Sequence, residues 1–250
     1  MMDSLRNILV MIELELRRLK HDRTELYTRA VQPILWIVIY GTIMSAFRAI
    51  PTGMPYTDYI TPGVLIQSTT FVSIFYGLTI VWERESGILK KLLVTPASRY
   101  ATVIGRSMAS GVRSIFQALI IVPVALLIGV RFFPNIAYFL LALLIIFFAS
   151  GGFAAISILI ASFMKTRERF MGIGQAITMP LFFASNALYP VPAFLLQFVL
   201  FNPMYYIVDA VRGLMISGDL TNLPIDLVAI ALFDAIMFIL ASVSFKRIIE

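Results

Sequence analysis

Side chains able to make and break bonds are scarce in this 250-residue chain. It has one histidine, His21, and no cysteine. Zinc and thiolate sites need clustered ligands, so His21, alone in a charged stretch, reads as a solvated or interfacial histidine. The same inventory removes disulfide and thiol chemistry and leaves no serine–histidine–aspartate set. No Gly-x-x-x-x-Gly-Lys-Ser/Thr phosphate loop and no dinucleotide-binding glycine fingerprint occur, so the chain lacks the usual sequence means of hydrolysing ATP or moving a hydride. The notable acids stand out by their surroundings. Asp234 falls inside an apolar run and Asp226 nearer its edge. A carboxylate at the centre of a membrane helix costs about 2.5–3.5 kcal/mol. Asp234 is therefore expected to turn inward, either as a proton relay or as a structural partner for a polar neighbour.

The elements that must position these residues are membrane helices. The chain is 60% apolar and only 14% charged, too little polar material to clothe a water-exposed globule. Six stretches reach the roughly 20 residues that cross a bilayer core: about 30–48, 59–82, 111–133, 136–163, 170–190 and 223–245. The fold class expected is all-α integral membrane, one six-helix domain over 30–250 behind a leader, 1–29. The start lacks the short basic, apolar and small-residue pattern of a cleavable signal peptide, so the first span is expected to persist. Arg and Lys set the orientation. Seventeen of the twenty fall in 1–29, 83–113, 165–169 and 246–247, and only Arg48, Arg131 and Arg212 lie on the other side. Both termini are expected in the cytoplasm. The excess of basic residues, lying between apolar stretches, points to membrane orientation rather than nucleic acid.

Three segments outside the spans have patterns of their own. In the leader, Leu5, Ile8, Leu9, Ile12, Leu16 and Leu19 make one helical stripe, with Glu13 and Arg17 four apart on the opposite face. A basic amphipathic helix before a span lies in the interface plane or packs on a soluble partner. Between spans two and three, Glu83, Arg84, Glu85 and Gly87 lead into Ile88, Leu89, Leu92 and Leu93, an apolar face flanked by Lys90 and Lys91 that closes at Thr95-Pro96. Such a helix either docks in a groove of another protein or rests among headgroups. After span five, 191–213 holds apolar pieces too short to cross, broken at Asn202-Pro203 and continuing through Asp209 to Arg212. This reads as a re-entrant or interfacial hairpin, a gate or a static plug.

The order of these features resembles the ABC-2-type permease family, nearest to its drug and glycoconjugate exporters. The likeness runs over nearly the whole chain and is sharpest at Glu83–Pro96, Ser185–Pro190 and Asn202–Arg212. It implies the transmembrane half of an ATP-driven exporter in the plasma or inner membrane. Such a permease pairs with a second copy or a related chain and with two ATP-binding subunits. ATP and magnesium then belong to those partners, and this chain binds no cofactor and is not itself an enzyme. The resemblance makes Glu83–Thr95 the coupling helix, 1–29 the connecting helix and 191–213 the outer gate, with Asn202, Pro203, Asp209 and Arg212 in it. Spans one, two and five would line the dimer interface, bringing Trp36, Tyr40, Phe71, Phe75, Phe182 and Phe183 to an apolar path for amphipathic drug-like or lipid-linked cargo. The same aromatics also suit ordinary membrane packing. The competing expectation is a stand-alone proton-coupled carrier using Asp234, although spans one to three and four to six show no convincing inverted repeat.

Overall fold

The computed structural model describes residues 9–10, 12–13, 16–17, 23–47, 52–86, 99–164 and 166–245. All regular structure among them is helical. The first rod is α1 (Arg23–Leu35), a π-helical turn (Trp36–Gly41) and α2 (Thr42–Phe47). It is followed by α3 (Tyr56–Glu85), α4 (Arg99–Ile128), α5 (Ile136–Phe163) and α6 (Arg167–Phe183). Then come a 3₁₀ turn (Ala193–Leu195), α7 (Leu196–Val199), α8 (Pro203–Arg212), a second π-helical turn (Gly213–Ser217) and α9 (Leu223–Ser244). Within the leader, the described residues are helical, Leu9 and Leu16 are exposed, and Arg17 donates to Glu13 at 2.7 Å.

Among the described residues, five helices are long and apolar enough to cross a membrane: Tyr27–Phe47, Tyr56–Glu85, Thr102–Ile128, Ile136–Phe163 and Leu223–Ser244. A bent pair, Ala193–Val199 with Pro203–Ser217, turns through 109°. The segment expected as span five behaves differently. Its helix, α6, has 17 residues, about 25 Å at 1.5 Å per residue, and stops at Phe183 rather than continuing to 190. Pro180 ends the helical ladder, with Ala184 N–H closing on the Pro180 carbonyl at 2.8 Å. Beyond it Ser185, Asn186, Ala187 and Leu188 are buried without helical structure. Apolar composition revealed that the stretch is buried but not that its backbone leaves the helix.

The centre of the bundle is α5, which packs along α4, α3 and α9. Small residues let it do so, because backbones can approach closely only where side chains are short. Gly77 of α3 donates its N–H to Ser157 Oγ at 2.8 Å, and Ser157 in turn donates to the Ile74 carbonyl. A Cβ on Gly77 would collide with Ser157, and one on Gly152 with the Asp234 carboxylate. At the other end of α3, Gly63 leaves room for the unwound strand after α6: a Cβ there would clash with the Ala187 carbonyl and lie 2.7 Å from its Cα.

Helix α4 begins at Arg99, well before the expected 111, and its first half is held in the bundle by Arg106, which pairs with Glu83. Ser107, Ser110, Ser114 and Gln117 are buried. Gln117 Nε2 donates to Ser68 Oγ at 3.0 Å, and Ser73 and Ser114 share a hydroxyl contact of 3.3 Å. This stripe faces α3, so average hydropathy understates how deeply the segment sits.

The fit at Gly63 is testable. Substitution by alanine presses a methyl group into backbone that cannot swing aside, an overpacking cost of about 1–3 kcal/mol. Gly63→Ala should lower the melting temperature of the purified chain. Gly172→Ala, with open space around its Cβ position, should leave it unchanged or slightly raised. Equal behaviour of the two variants would contradict the packing described.

Candidate functional site

Two π turns and two breaks in helix decide where the functional side chains point. The π turn at 36–41 carries Trp36 and Tyr40, whose rings lie 5.1 Å apart. Trp36 meets Phe182 of α6 edge-on at 6.1 Å, and Phe182 is 5.4 Å from Phe183. From Tyr40 the aromatic contacts pass to Tyr56 at 6.2 Å and then to Tyr59, stacked at 6.3 Å. The series ends on a cation: the Arg212 guanidinium stands 4.0 Å over the Tyr59 ring. Four of the six expected lining aromatics, Trp36, Tyr40, Phe182 and Phe183, are thus brought into one ladder. Phe71 and Phe75 pair separately at 4.5 Å on α3. They line a hollow of 370 Å³ between α1 and α3 together with Gln32 and Gln67.

Arg212 is buried, although its charge suggests an outer-surface residue. It donates through Nε and Nη2 to the Tyr59 carbonyl at 3.3 and 3.2 Å, and through Nη2 to the Asn186 carbonyl at 2.7 Å. Tyr59 Oη donates to the same Asn186 carbonyl at 3.0 Å, and Tyr56 Oη to that of Leu188 at 2.8 Å. One guanidinium and two phenols therefore supply donors to the unwound strand after α6. Asp209, one turn before Arg212, accepts from Asn186 Nδ2 at 3.2 Å and Asn222 Nδ2 at 3.1 Å.

Asn202 performs a second repair. Its Oδ1 accepts the Met204 N–H at 2.9 Å, capping α8 with Pro203 at the first helical position. Its Nδ2 donates to the carbonyls of Leu181 and Ala184 at 2.7 and 2.6 Å, two of the groups that the end of α6 leaves without helical partners. Asn202, Pro203, Asp209 and Arg212 are thus one connected assembly joining α8 to α6 and α3.

At the opposite end of the bundle two ion pairs frame the 87–98 segment. Glu83 Oε2 accepts from Arg106 Nη2 at 2.6 Å, with both side chains less than a tenth exposed. Glu83, expected to face a partner, instead ties the end of α3 to the beginning of α4. Glu85 Oε2 accepts from Arg167 Nε at 2.6 Å in a half-exposed pair. Arg84 Nη1 is buried without a hydrogen-bond partner. Gly87, Ile88, Leu89, Leu92, Leu93 and Thr95 lie outside the described residues, as does His21.

Asp234 turns inward onto Gly152 of α5, and its Oδ1 has no hydrogen-bond partner. It lines none of the hollows described here. Among the described residues there is no group of three histidine, cysteine, aspartate or glutamate side chains able to hold a metal ion.

Sequence reasoning overlooked Tyr56, Tyr59 and Arg106. Tyr59 falls at the first position of the expected span 59–82 and Tyr56 just before it. Their signal was a pair three residues apart beside Pro62-Gly63, where a helix both kinks and admits a close neighbour. Arg106 read as a loop charge; its spacing from the serines of α4 places it on their helical face.

The model of the ABC-2 type transporter family matches residues 6–216. The chain belongs to that family. Among curated relatives, it is 26% identical to a protein of Cyanophora paradoxa provisionally named transport permease ycf38, over 98% of this chain and 90% of the relative. It is 23% identical to the daunorubicin resistance ABC transporter permease protein DrrB1 of Streptomyces coeruleorubidus, over 78% of this chain and 70% of the relative. A DrrC protein of Mycobacterium tuberculosis, provisionally named a doxorubicin resistance ABC transporter permease, is also 23% identical over 83% and 76%. The chain is a multi-pass transport permease, and its family implies an ATP-binding partner.

The Arg212 assembly gives this permease a sharp expectation. Arg212→Met removes the charged donor from the Tyr59 and Asn186 carbonyls, Asn186 keeping only the Tyr59 hydroxyl, a loss of about 1.5–3 kcal/mol. Arg212→Lys keeps the charge but lacks the planar fork that reaches two carbonyls while stacking on a ring. Both variants should lose thermal stability, with lysine recovering less than half of the methionine loss. Full recovery by lysine would show that charge alone matters there.

Proposed function

We propose that this permease is the transmembrane half of an ATP-driven exporter of amphipathic cargo, drug-like or lipid-linked, powered by a separate ATP-binding subunit. The observation that carries this reading is the aromatic-lined hollow of 370 Å³ between α1 and α3 in a chain of the ABC-2 type transporter family. An open hollow walled by Phe71 and Phe75 with amide groups at Gln32 and Gln67 suits molecules with both apolar and polar parts. The names of the drug-resistance relatives agree with that chemistry. The window Tyr27–Phe47 is only 22% buried within one chain. Its apolar surface is available to a second permease, either an identical copy or a related chain, with two ATPases below. The path would run between the aromatic faces of α1, α3 and α6.

In this reading the segment 83–96 is the coupling helix, set in a cleft of the ATPase, and the leader lies beside it. The distribution of arginine and lysine supports cytoplasmic termini in a plasma or inner membrane. Glu83 opens the coupling segment and its partner Arg106 lies in α4 beyond it, so movement of that segment is carried into α3 and α4 together. Residues 191–213 then form a re-entrant cap on the outer side, held by Asn202, Asp209 and Arg212. Non-helical backbone at membrane depth survives only where protein groups replace the missing hydrogen bonds, and those side chains supply them. Asp234 serves packing against α5 rather than proton transfer.

Glu83 is too deeply paired to test coupling cleanly. Removing one partner of a buried pair costs about 3–5 kcal/mol and would unsettle the bundle itself. Glu85→Lys and Leu92→Pro are better probes. Reconstituted with its ATPase, the permease should retain ATP hydrolysis in both variants while losing most ATP-dependent cargo movement, at an unchanged melting temperature for Glu85→Lys. Full transport by both variants would remove 83–96 from the coupling role. In liposomes containing the chain alone, a proton gradient should drive no transport that Asp234→Asn abolishes; such transport would overturn the exporter reading.

A further inference from the structure

The hollow between α1 and α3 has a neighbour across Arg29 and Phe75. Those two residues also line a second hollow of 230 Å³ whose other walls include Tyr76, Leu78, Trp82, Arg113 and Arg167. Three guanidinium groups from three helices, Arg29 of α1, Arg113 of α4 and Arg167 of α6, thus line one small space. Two of the three are oriented by aromatic rings. Arg113 stands 5.4 Å from the centre of Tyr76, and Arg167 stands 6.0 Å from that of Trp82. The Glu85 contact, through Arg167 Nε at 2.6 Å, fixes one edge of its guanidinium. The charged end lies where α3 finishes, with Trp82 half-exposed, a location tryptophan favours at a membrane–water interface. The two adjoining hollows therefore have arginines at one end and, past Phe75, an aromatic end at Phe71 with Val72 and Pro33.

That polarity has a matching chemistry. Guanidinium groups bind phosphate oxygens through paired N–H donors and are the least costly cations to hold close to apolar surface. A free phosphate would use only one end of the pair and leave its aromatic half empty. We propose that the two adjoining hollows together bind a phosphate-bearing lipid from the adjoining leaflet, its phosphate among Arg29, Arg113 and Arg167 and its chain along Phe75 and Phe71. The exporter reading enters at one point only, namely that a molecule held there stands at the entrance to the path. Cargo with an anionic headgroup is then drawn in ahead of neutral amphipaths.

The chain supplies its own reporter, since its two tryptophans are Trp36 and Trp82. In the full-length Trp36→Phe protein, reconstituted in bilayers, Trp82 fluorescence is quenched by lipids brominated on the acyl chain. Brominated phosphatidylglycerol should compete for the site about fivefold or more better than brominated phosphatidylcholine, the scale expected of one or two basic side chains at a surface. Arg29→Gln should weaken that preference, and Arg29→Gln with Arg113→Gln should abolish it. Arg169→Gln, an exposed neighbour that lines neither hollow, should leave it intact. Millimolar inorganic phosphate should not relieve the quenching. Equal quenching by the two lipids, a preference that survives in the double variant, or relief by phosphate would each overturn the proposal. The single Arg29 variant guards against misfolding of the double one, checked by melting temperature. Failure of the exporter reading has a different signature: the lipid preference persists while the chain with its ATPase moves no cargo.

Discussion

The arrangement depends on one guanidinium turned inward. Arg212 stands against Tyr59 and supplies hydrogen bonds to two backbone carbonyls from segments far apart in sequence. Without such donors the strand from Ala184 to Tyr189 could not leave helical geometry and remain buried, because a buried carbonyl without a partner costs more than packing returns. Once the strand is held, Gly63 can accept it, α6 can end early, and Asn202 can close both α6 and α8. The aromatic ladder from Phe183 to Tyr59 rests on the same point, since its last ring is the face on which the cation sits.

The two ends of the bundle solve the problem of buried charge in different ways. Near Arg212 a cation is neutralised mainly by dipoles: carbonyl oxygens and a π face, with the carboxylate of Asp209 engaged by two asparagines. At the other end Glu83 and Arg106 are a direct pair. Dipoles permit small adjustments of backbone without loss of every contact, whereas a buried ion pair tolerates little separation before its desolvation is unrepaid. The first arrangement suits a part that must shift slightly, and the second a part that must transmit displacement without slack.

Much of this was legible in the sequence, and for definite reasons. Helices at 136–163 and 223–244 announce themselves because each is a long apolar run closed by polar residues, with Asn135 and Asn222 at their starts. The break at Asn202-Pro203 was equally plain, since asparagine caps and proline begins a helix. What escaped was whatever depends on partners distant in sequence. The early end of α6 is set by Arg212 and Asn202, neither of which is near it in the chain. The burial of Glu83 and the depth of the start of α4 are both set by the Glu83–Arg106 pair, whose members lie 23 residues apart. The π turn that aims Trp36 and Tyr40 has no compositional mark at all. Hydropathy reads the solvent a segment prefers, not the hydrogen bonds that allow it to change shape there.

The order of these residues along the chain has a consequence for biogenesis. The carbonyls served by Asn202 and Arg212 belong to Tyr59, Leu181, Ala184 and Asn186, all of which precede them. During synthesis from the N-terminus, the acceptors are therefore made before the donors. Helix α8 arrives at a surface whose sockets already exist. Its charged tip never has to wait in the lipid for a partner still on the ribosome. A chain stalled just short of Asn202 would instead display a set of bare carbonyls, a distinguishing mark that membrane quality control could read.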